Sequence, residues 1–130
     1  MNIRISPLLL IFSLFISSVA FAETAIDIAG TYKSNEALLI LKLLKNEVME
    51  VNLRIGAPTA GSSCGGGIVG NGKIKTDTLS LTSKVPEGTC IIVVKFAGET
   101  ANVVSESDGC SAFHGAGCSF EEVAVGLKRK

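Results

Sequence analysis

The sequence predicts an all-β domain: a small antiparallel β-barrel or sandwich of about eight short strands with two disulfides. Segments rich in Val, Ile, Leu and Thr are separated by turn-forming glycines, of which the chain has 14. Several of these segments alternate apolar and polar residues, which is the pattern of a strand with one buried face. The third observation is an even number of cysteines, four in 130 residues, which is typical of a disulfide framework in an exported chain.

The first 22 residues have the three parts of a secretory signal peptide. Arg4 precedes an apolar stretch from Leu8 to Ile16, and small residues end the segment at Ala20-Phe21-Ala22. The sequence therefore predicts a cleaved leader, residues 1–22, and a single β domain, residues 23–130. We expect export to the periplasm or beyond, with no membrane span after cleavage. The intact mass of the exported protein should match a chain starting at Glu23, and full-length chain in the inner membrane would contradict this prediction.

One segment at the start of the domain fits either a helix or a strand. Ser34 to Leu44 consists of good helix formers, and Ser34 or Asn35 can serve as N-cap. A helix there would be apolar almost all round and would need burial on every side. A strand over residues 37–44, turning at Lys45-Asn46-Glu47, pairs directly with the alternating segment that follows. We therefore favour a hairpin.

The remaining strands follow from local patterns. Met49 to Ile55 and Thr78 to Thr82 alternate, so each is expected to bury one face. Cys90 to Phe96 is almost continuously apolar, which predicts a central strand covered on both faces. Thr100 to Ser105 follows a short turn and is expected to form a hairpin with the strand that begins at Cys90. Alternation at Val123, Val125 and Leu127 predicts a closing strand; the adjacent Glu121 and Glu122 are then expected to point to opposite faces.

All four cysteines lie after the predicted leader, at Cys64, Cys90, Cys110 and Cys118. Two disulfides can be drawn in three ways. We favour Cys64–Cys90 with Cys110–Cys118, because each bridge then staples one loop to a neighbouring element.

Charge excludes some classes of function. The chain from Glu23 onward contains 11 Lys and Arg against 12 Asp and Glu, because Arg4 is the single charged residue before it. This near-neutral balance gives no electrostatic reason to expect nucleic acid or an anionic membrane surface as partner. The paired acids, Glu121-Glu122 and Glu106 with Asp108, are expected to lie on a solvated surface.

The segment from Cys110 to Cys118 contains His114, the single histidine of the chain. Cys-x3-His-x3-Cys offers thiolate and imidazole ligands for zinc, but this spacing is not a standard zinc pattern and an exported chain meets oxidising conditions. A hydrolase triad could combine His114 and Asp108 with Ser62, Ser63 or Ser111, but the sequence contains no Gly-x-Ser-x-Gly elbow. We therefore expect no enzyme activity, no metal and no cofactor.

Two loops are the candidate contact regions for a partner. Glycines on both sides of Phe113 and His114 predict a protruding loop tip in which an aromatic and a polar group lie side by side. Ser111 lies in the same loop, and Ser63 lies in the glycine-rich loop before Gly65-Gly66-Gly67. The partner-binding candidates are Phe113, His114, Ser111 and Ser63, with an inward-facing Phe113 as the alternative.

Several pieces in order carry a family resemblance: Gly30-Thr31-Tyr32, Cys64-Gly65-Gly66, Cys90 at the start of an apolar strand, and Gly109-Cys110 to Phe120. The chain resembles small uncharacterised periplasmic β-barrel domains of Gram-negative bacteria, some of them associated with bacterial lysozyme-inhibitor proteins. The Ser-Gly-x-x-Tyr motif of the membrane-anchored inhibitors does not occur here. A Gly-x-Tyr ending after the last Cys-x-Phe is replaced by residues 121–125, so no inhibitory residue carries over.

The resemblance implies a non-enzymatic periplasmic protein that binds a lytic enzyme or another protein partner of the cell envelope. Inhibition of a lysozyme-like hydrolase through disulfide-stapled loops is the first hypothesis. The second is a structural or stress-related envelope protein without catalytic activity, and the third is a zinc protein or hydrolase centred on His114.

Overall fold

The computed structural model describes residues 25–56, 64–86 and 88–130, and the strands of this part of the chain close into one antiparallel barrel. The strands are β1 Gly30–Lys33, β2 Ala37–Leu43, β3 Val48–Ile55, β4 Gly66–Lys75, β5 Thr78–Val85, β6 Gly88–Ala97, β7 Thr100–Glu106 and β8 Leu127–Arg129. Each strand pairs with the next along the chain, and β8 pairs with β1. The predicted fold class is confirmed, as a barrel and not a sandwich. The predicted leader lies outside the described residues.

Short helical pieces interrupt the strands. They are the helices α1 Ala25–Ile28 and α2 Phe120–Val123 and two 3-10 helices, Lys45–Glu47 and Asp108–Phe113. In the part of the chain that the structure describes, none of these is long and apolar enough to cross a membrane.

The segment that fitted either helix or strand is a strand. β2 pairs with β3 from Ala37↔Ile55 to Leu43↔Met49, and the chain turns between them at Lys45–Glu47. Asn46 and Glu47 have φ of 58° and 60°, the left-handed backbone that tight hairpin turns use. The hairpin prediction is confirmed. A strand suits this apolar run because it needs to bury only alternate residues and can leave Ile40 on the outside.

Two local predictions are wrong. The Cys90–Phe96 segment lies in β6 but is not covered on both faces, since Ile91 on the outer face is 42% exposed. The predicted closing strand is present but spans Leu127–Arg129, because Val123 is the last residue of α2 and Val125 lies between that helix and the strand. Glu121 and Glu122 also lie in α2 and not in a strand. That helix begins with a capping box: Ser119 Oγ accepts the Glu122 N–H at 3.3 Å, and the Glu122 carboxylate accepts the Ser119 N–H at 3.2 Å.

The barrel interior is filled with apolar side chains. Each long strand points alternate residues inward, and the buried residues in the described ranges are hydrophobic except for Gly72. Tyr32 is also buried, with its ring edge against Phe96 and its hydroxyl donating to the Ile28 carbonyl at 3.0 Å. Ile28, just before β1, and Phe120, after β7, are both buried and join the same core from opposite ends of the barrel. Phe96 and Phe120 are among the largest buried side chains of this core.

Arg129 closes the barrel seam at the end that holds α1. Its guanidinium donates to the carbonyls of Asp27 and Ala29, each at 2.6 Å, and lies 5.7 Å from the centre of the Tyr32 ring. These contacts tie the last strand to the segment before β1, so the first and last strands of the barrel are held together.

Candidate functional site

The irregular structure gathers at one end of the barrel. Because neighbouring strands are antiparallel, the connections after β1, β3, β5 and β7 lie at the same end. They include the β1–β2 turn, residues 34–36, and the long connection from Ser107 to Gly126. Both disulfides are formed here, so we call residues 34–36 and 107–119 with the two bridges the stapled end.

The disulfides are Cys64–Cys118 and Cys90–Cys110. The favoured pairing, Cys64–Cys90 with Cys110–Cys118, is therefore wrong, although the prediction of two disulfides is confirmed. The two bridges differ in exposure: Cys90 and Cys110 are fully buried, whereas Cys64 and Cys118 are half-buried. One bridge thus belongs to the core, and the other lies near the surface.

The 3-10 helix after β7 is held against β6, which explains the Cys90–Cys110 pairing. Ser107 Oγ accepts the Ile91 N–H at 2.8 Å and donates to the Thr89 carbonyl at 3.1 Å. Gly109 passes so close that an added Cβ would lie against the Thr89 carbonyl. These contacts place Cys110 directly over Cys90, with a Cα–Cα distance of 4.4 Å. Cys118 lies further along the connection and reaches Cys64 before β4.

His114 lies in a buried ion pair with Glu106, the last residue of β7. His114 Nε2 is 2.8 Å from Glu106 Oε1, and Nδ1 is 2.8 Å from the Gly115 carbonyl oxygen. The side chains are only 8% and 11% exposed. Glu106 Oε2 also accepts the Phe120 N–H at 2.6 Å, and the Phe120 ring meets the imidazole edge to face with centroids 5.2 Å apart. One carboxylate therefore joins β7, the loop after the 3-10 helix and α2.

Opposing effects act on the pKa of His114. Burial lowers it, but the hydrogen bonds with the Gly115 carbonyl and Glu106, together with the negative charges of Glu106 and Glu122, raise it more. The net effect is a pKa above the ordinary value of 6.5. The ion pair thus favours the charged imidazolium.

The predicted partner-binding residues occupy different environments. Ser111 is exposed on the 3-10 helix. Phe113 is half-buried and packs against the core, so it resembles the inward-facing alternative more than a free loop tip. The His114 side chain is almost covered. Ser63 lies outside the described residues. Ser111, Phe113 and His114 lie in one segment, and of these three only Ser111 is exposed to solvent.

The cysteines and His114, which were candidate ligands for zinc, are engaged in other contacts in this structure. Cys110 and Cys118 are engaged in disulfides with different partners, and both nitrogens of His114 already contact oxygen atoms. Within residues 25–56, 64–86 and 88–130, no group of three or more His, Cys, Asp or Glu side chains is placed to hold a metal ion.

Sequence reasoning missed Glu106 and Gly66. Glu106 was expected on the solvated surface with Asp108; Asp108 is exposed, but Glu106 is turned inward to His114. Gly66 pairs with His114 in an isolated antiparallel bridge, and the Gly115 N–H donates to the Gly65 carbonyl at 2.8 Å. A Gly-Gly-Gly run beside a cysteine was the one available signal that another backbone passes closely there.

Two shallow depressions lie beside the β1–β2 turn. One has a volume of about 380 Å³ and runs between Lys33, Leu38 and Arg54. The other, about 280 Å³, lies between Glu36 and Glu122. Both are open surface features, in contrast with the filled interior.

The fold and the site together define a small closed β-barrel with a packed core and one disulfide-stapled end. Comparison of the chain with protein-family models, with curated protein sequences and with solved structures finds no match to any of them.

Proposed function

We propose that this chain is an exported protein-binding module that inhibits a lysozyme-like cell-wall hydrolase through its stapled end, in the periplasm or outside the cell. The observation that carries the proposal is the contrast between the two parts of the barrel. Its interior is occupied by side chains, which leaves the outer surface for binding, and its stapled end is built as a fixed, irregular surface.

Preorganisation is what such an inhibitor needs. The 107–119 segment is anchored at Cys110 and Cys118 by disulfides and at His114 by the ion pair with Glu106. A loop that is already ordered in the free protein loses little conformational entropy when it binds. The segment therefore suits insertion into the cleft of an enzyme.

The charge at this end supports a basic partner. Glu36 and Asp108 of the stapled end are exposed, as are Glu121 and Glu122 of the adjacent α2, and Glu36 and Glu122 line the same depression. An enzyme that acts on an anionic cell-wall polymer gains from a cationic surface, and an acidic patch on the inhibitor attracts that surface and speeds association.

An inhibition assay with matched variants tests the proposal. We expect the purified exported protein to reduce muramidase activity of at least one basic lysozyme-like enzyme. Ser111→Arg adds bulk and like charge at the exposed stapled end, so the inhibition constant should rise at least about tenfold. Ser80→Arg, on the exposed flank of β5, is the control and should leave inhibition unchanged.

Thermal melting should be similar for both variants, since both serines are exposed. No inhibition of any enzyme in a panel of lysozyme types would contradict the proposal, as would equal loss for Ser111→Arg and Ser80→Arg. Capture of a non-enzymatic envelope protein by the wild-type chain, without inhibition, would favour the structural alternative.

A further inference from the structure

The contacts of His114 constrain its protonation state. Both ring nitrogens face oxygen atoms that act as acceptors, the Gly115 carbonyl at Nδ1 and the Glu106 carboxylate at Nε2, each at 2.8 Å. A carbonyl has no proton to donate, and an ionised carboxylate has none either. Both hydrogen bonds therefore form only when the imidazole carries two protons. A neutral ring satisfies one acceptor and leaves the other facing a lone pair.

Glu106 links the protonation state of His114 to the surrounding helix and strands, because it contacts both His114 and α2. Its second oxygen accepts the Phe120 N–H at the start of α2, and His114 itself bridges to Gly66 at the start of β4. The two side chains, about nine-tenths covered, therefore connect β7 and α2 to His114, and the backbone of His114 pairs with β4. Water replaces these contacts poorly in a covered site, so the loss of one proton destabilises the packing around His114.

We propose that His114 and Glu106 form a pH-sensitive latch, which holds residues 113–120 closed against β4 and β7 while His114 is doubly protonated and releases them when the ring loses a proton. The inference is independent of the proposed function, since it concerns the free protein and needs no partner.

The charged groups that face the ring determine the direction of the switch. Glu106 of β7 and Glu122 of α2 are both negative, whereas β4 contributes the uncharged Gly66. Burial lowers the pKa of His114, but the hydrogen bonds with the Gly115 carbonyl and Glu106, together with these two negative charges, outweigh burial and raise the pKa above 6.5 in the folded state. A raised folded pKa means that the stabilisation is fully present below the unfolded value and is lost as the pH rises through the folded value. The latch is therefore closed on the acidic side and opens on the alkaline side.

Opening is expected to be local because covalent anchors remain. The bridges Cys90–Cys110 and Cys64–Cys118 lie on either side of His114, and neither depends on its proton. The segment between them can move away from Glu106 while the barrel strands stay paired.

The test uses the fact that His114 is the only histidine in the sequence, so one set of imidazole signals reports on it. At pH 6, nitrogen-15 NMR of the ring should show protons on both nitrogens, and its titration should give a pKa above 6.5. Protection of the Gly115 and Phe120 amides from hydrogen exchange, corrected for intrinsic rates, should fall as the pH rises from 6.5 through that pKa and should level off above it. The fall should approach tenfold for each unit by which the pKa is raised.

Glu106→Gln reverses the prediction. The glutamine oxygen can accept the Phe120 N–H while its amide donates to a deprotonated Nε2, so a neutral ring satisfies every contact. We expect the pKa of His114 to fall below 6.5 and amide protection to stop decreasing at alkaline pH. Asp108→Asn is the control, since Asp108 is exposed, and it should behave as wild type.

Three results would overturn the latch: a singly protonated ring in the wild type at pH 6, a wild-type pKa at or below 6.5, or alkaline loss of protection that persists in Glu106→Gln. The first two need only the wild-type protein, so the test stands even if the variant does not fold.

Discussion

Replacing Phe120 with alanine is expected to lower the free energy of unfolding by about 3–5 kcal/mol. The ring is fully buried, joins the core from the stapled end and packs edge to face on His114. Removing it leaves a cavity that the surrounding strands and disulfides cannot collapse to fill. Urea unfolding followed by circular dichroism measures the change.

Val125→Ala is the matched control for Phe120→Ala. Val125 lies in the same connection but is 47% exposed, so its truncation should change the free energy of unfolding by less than about 1 kcal/mol. Equal effects of the two substitutions would show that Phe120 does not close this end of the core.

Gly66→Ala is expected to destabilise the protein by about 1–3 kcal/mol through overpacking. An added Cβ at Gly66 would lie against the Phe113 carbonyl oxygen and 2.6 Å from the His114 Cα. These atoms are backbone of Phe113 and His114, with the His114 Cβ beside them, and none is the far end of a flexible side chain, so the bridge between β4 and His114 must open. The melting temperature should fall, and the imidazole signals of His114 should shift with it.

The neighbouring glycine provides the control for this prediction. A Cβ at Gly65 meets nothing within 4 Å, so Gly65→Ala should leave both the melting temperature and the His114 signals nearly unchanged. A Gly66→Ala protein as stable as Gly65→Ala would contradict the close approach of β4 and the His114 segment.

The strands were predictable because their signals are local. Alternation over Met49 to Ile55 appears directly as the burial pattern of β3, and the Lys45–Glu47 turn joins two strands of matching length. The C-terminal error has a local cause as well. Val123 and Val125 alternate as a strand would, but Ser119 and Glu122 have the spacing of a capping box, and that hydrogen-bonded start determines a short helix.

The disulfide pairing was not predictable from spacing. The expectation that each bridge staples one loop to a neighbouring element favoured joining Cys110 to Cys118. Ser107 and Gly109 instead hold the 3-10 helix against β6 and place Cys110 over Cys90. That contact joins residues far apart along the chain, and no periodicity in the sequence reports it. The closed barrel places β6 beside the connection after β7, and this tertiary arrangement determines which cysteines come into contact.

The candidate site was predicted in part. The segment around His114 was selected because glycines and cysteines surround it, and it does form the stapled end. The burial of His114 depends on Glu106, which comes from a strand and reaches the ring through tertiary packing. An acidic residue at a strand end has the same appearance in sequence whether it faces solvent or a buried imidazole.

The most direct test of the account is an amide-resolved NMR footprint of the labelled protein with a hydrolase that it inhibits. We predict shifted or broadened signals in residues 107–119 and 34–36, with the outer faces of β2 to β4 unchanged. Those faces carry the exposed Ile40 and Val69, which lie on either side of Asn52 and offer a competing apolar surface. A footprint centred on Ile40 and Val69, or no perturbation of the stapled end at saturating enzyme, would contradict the account.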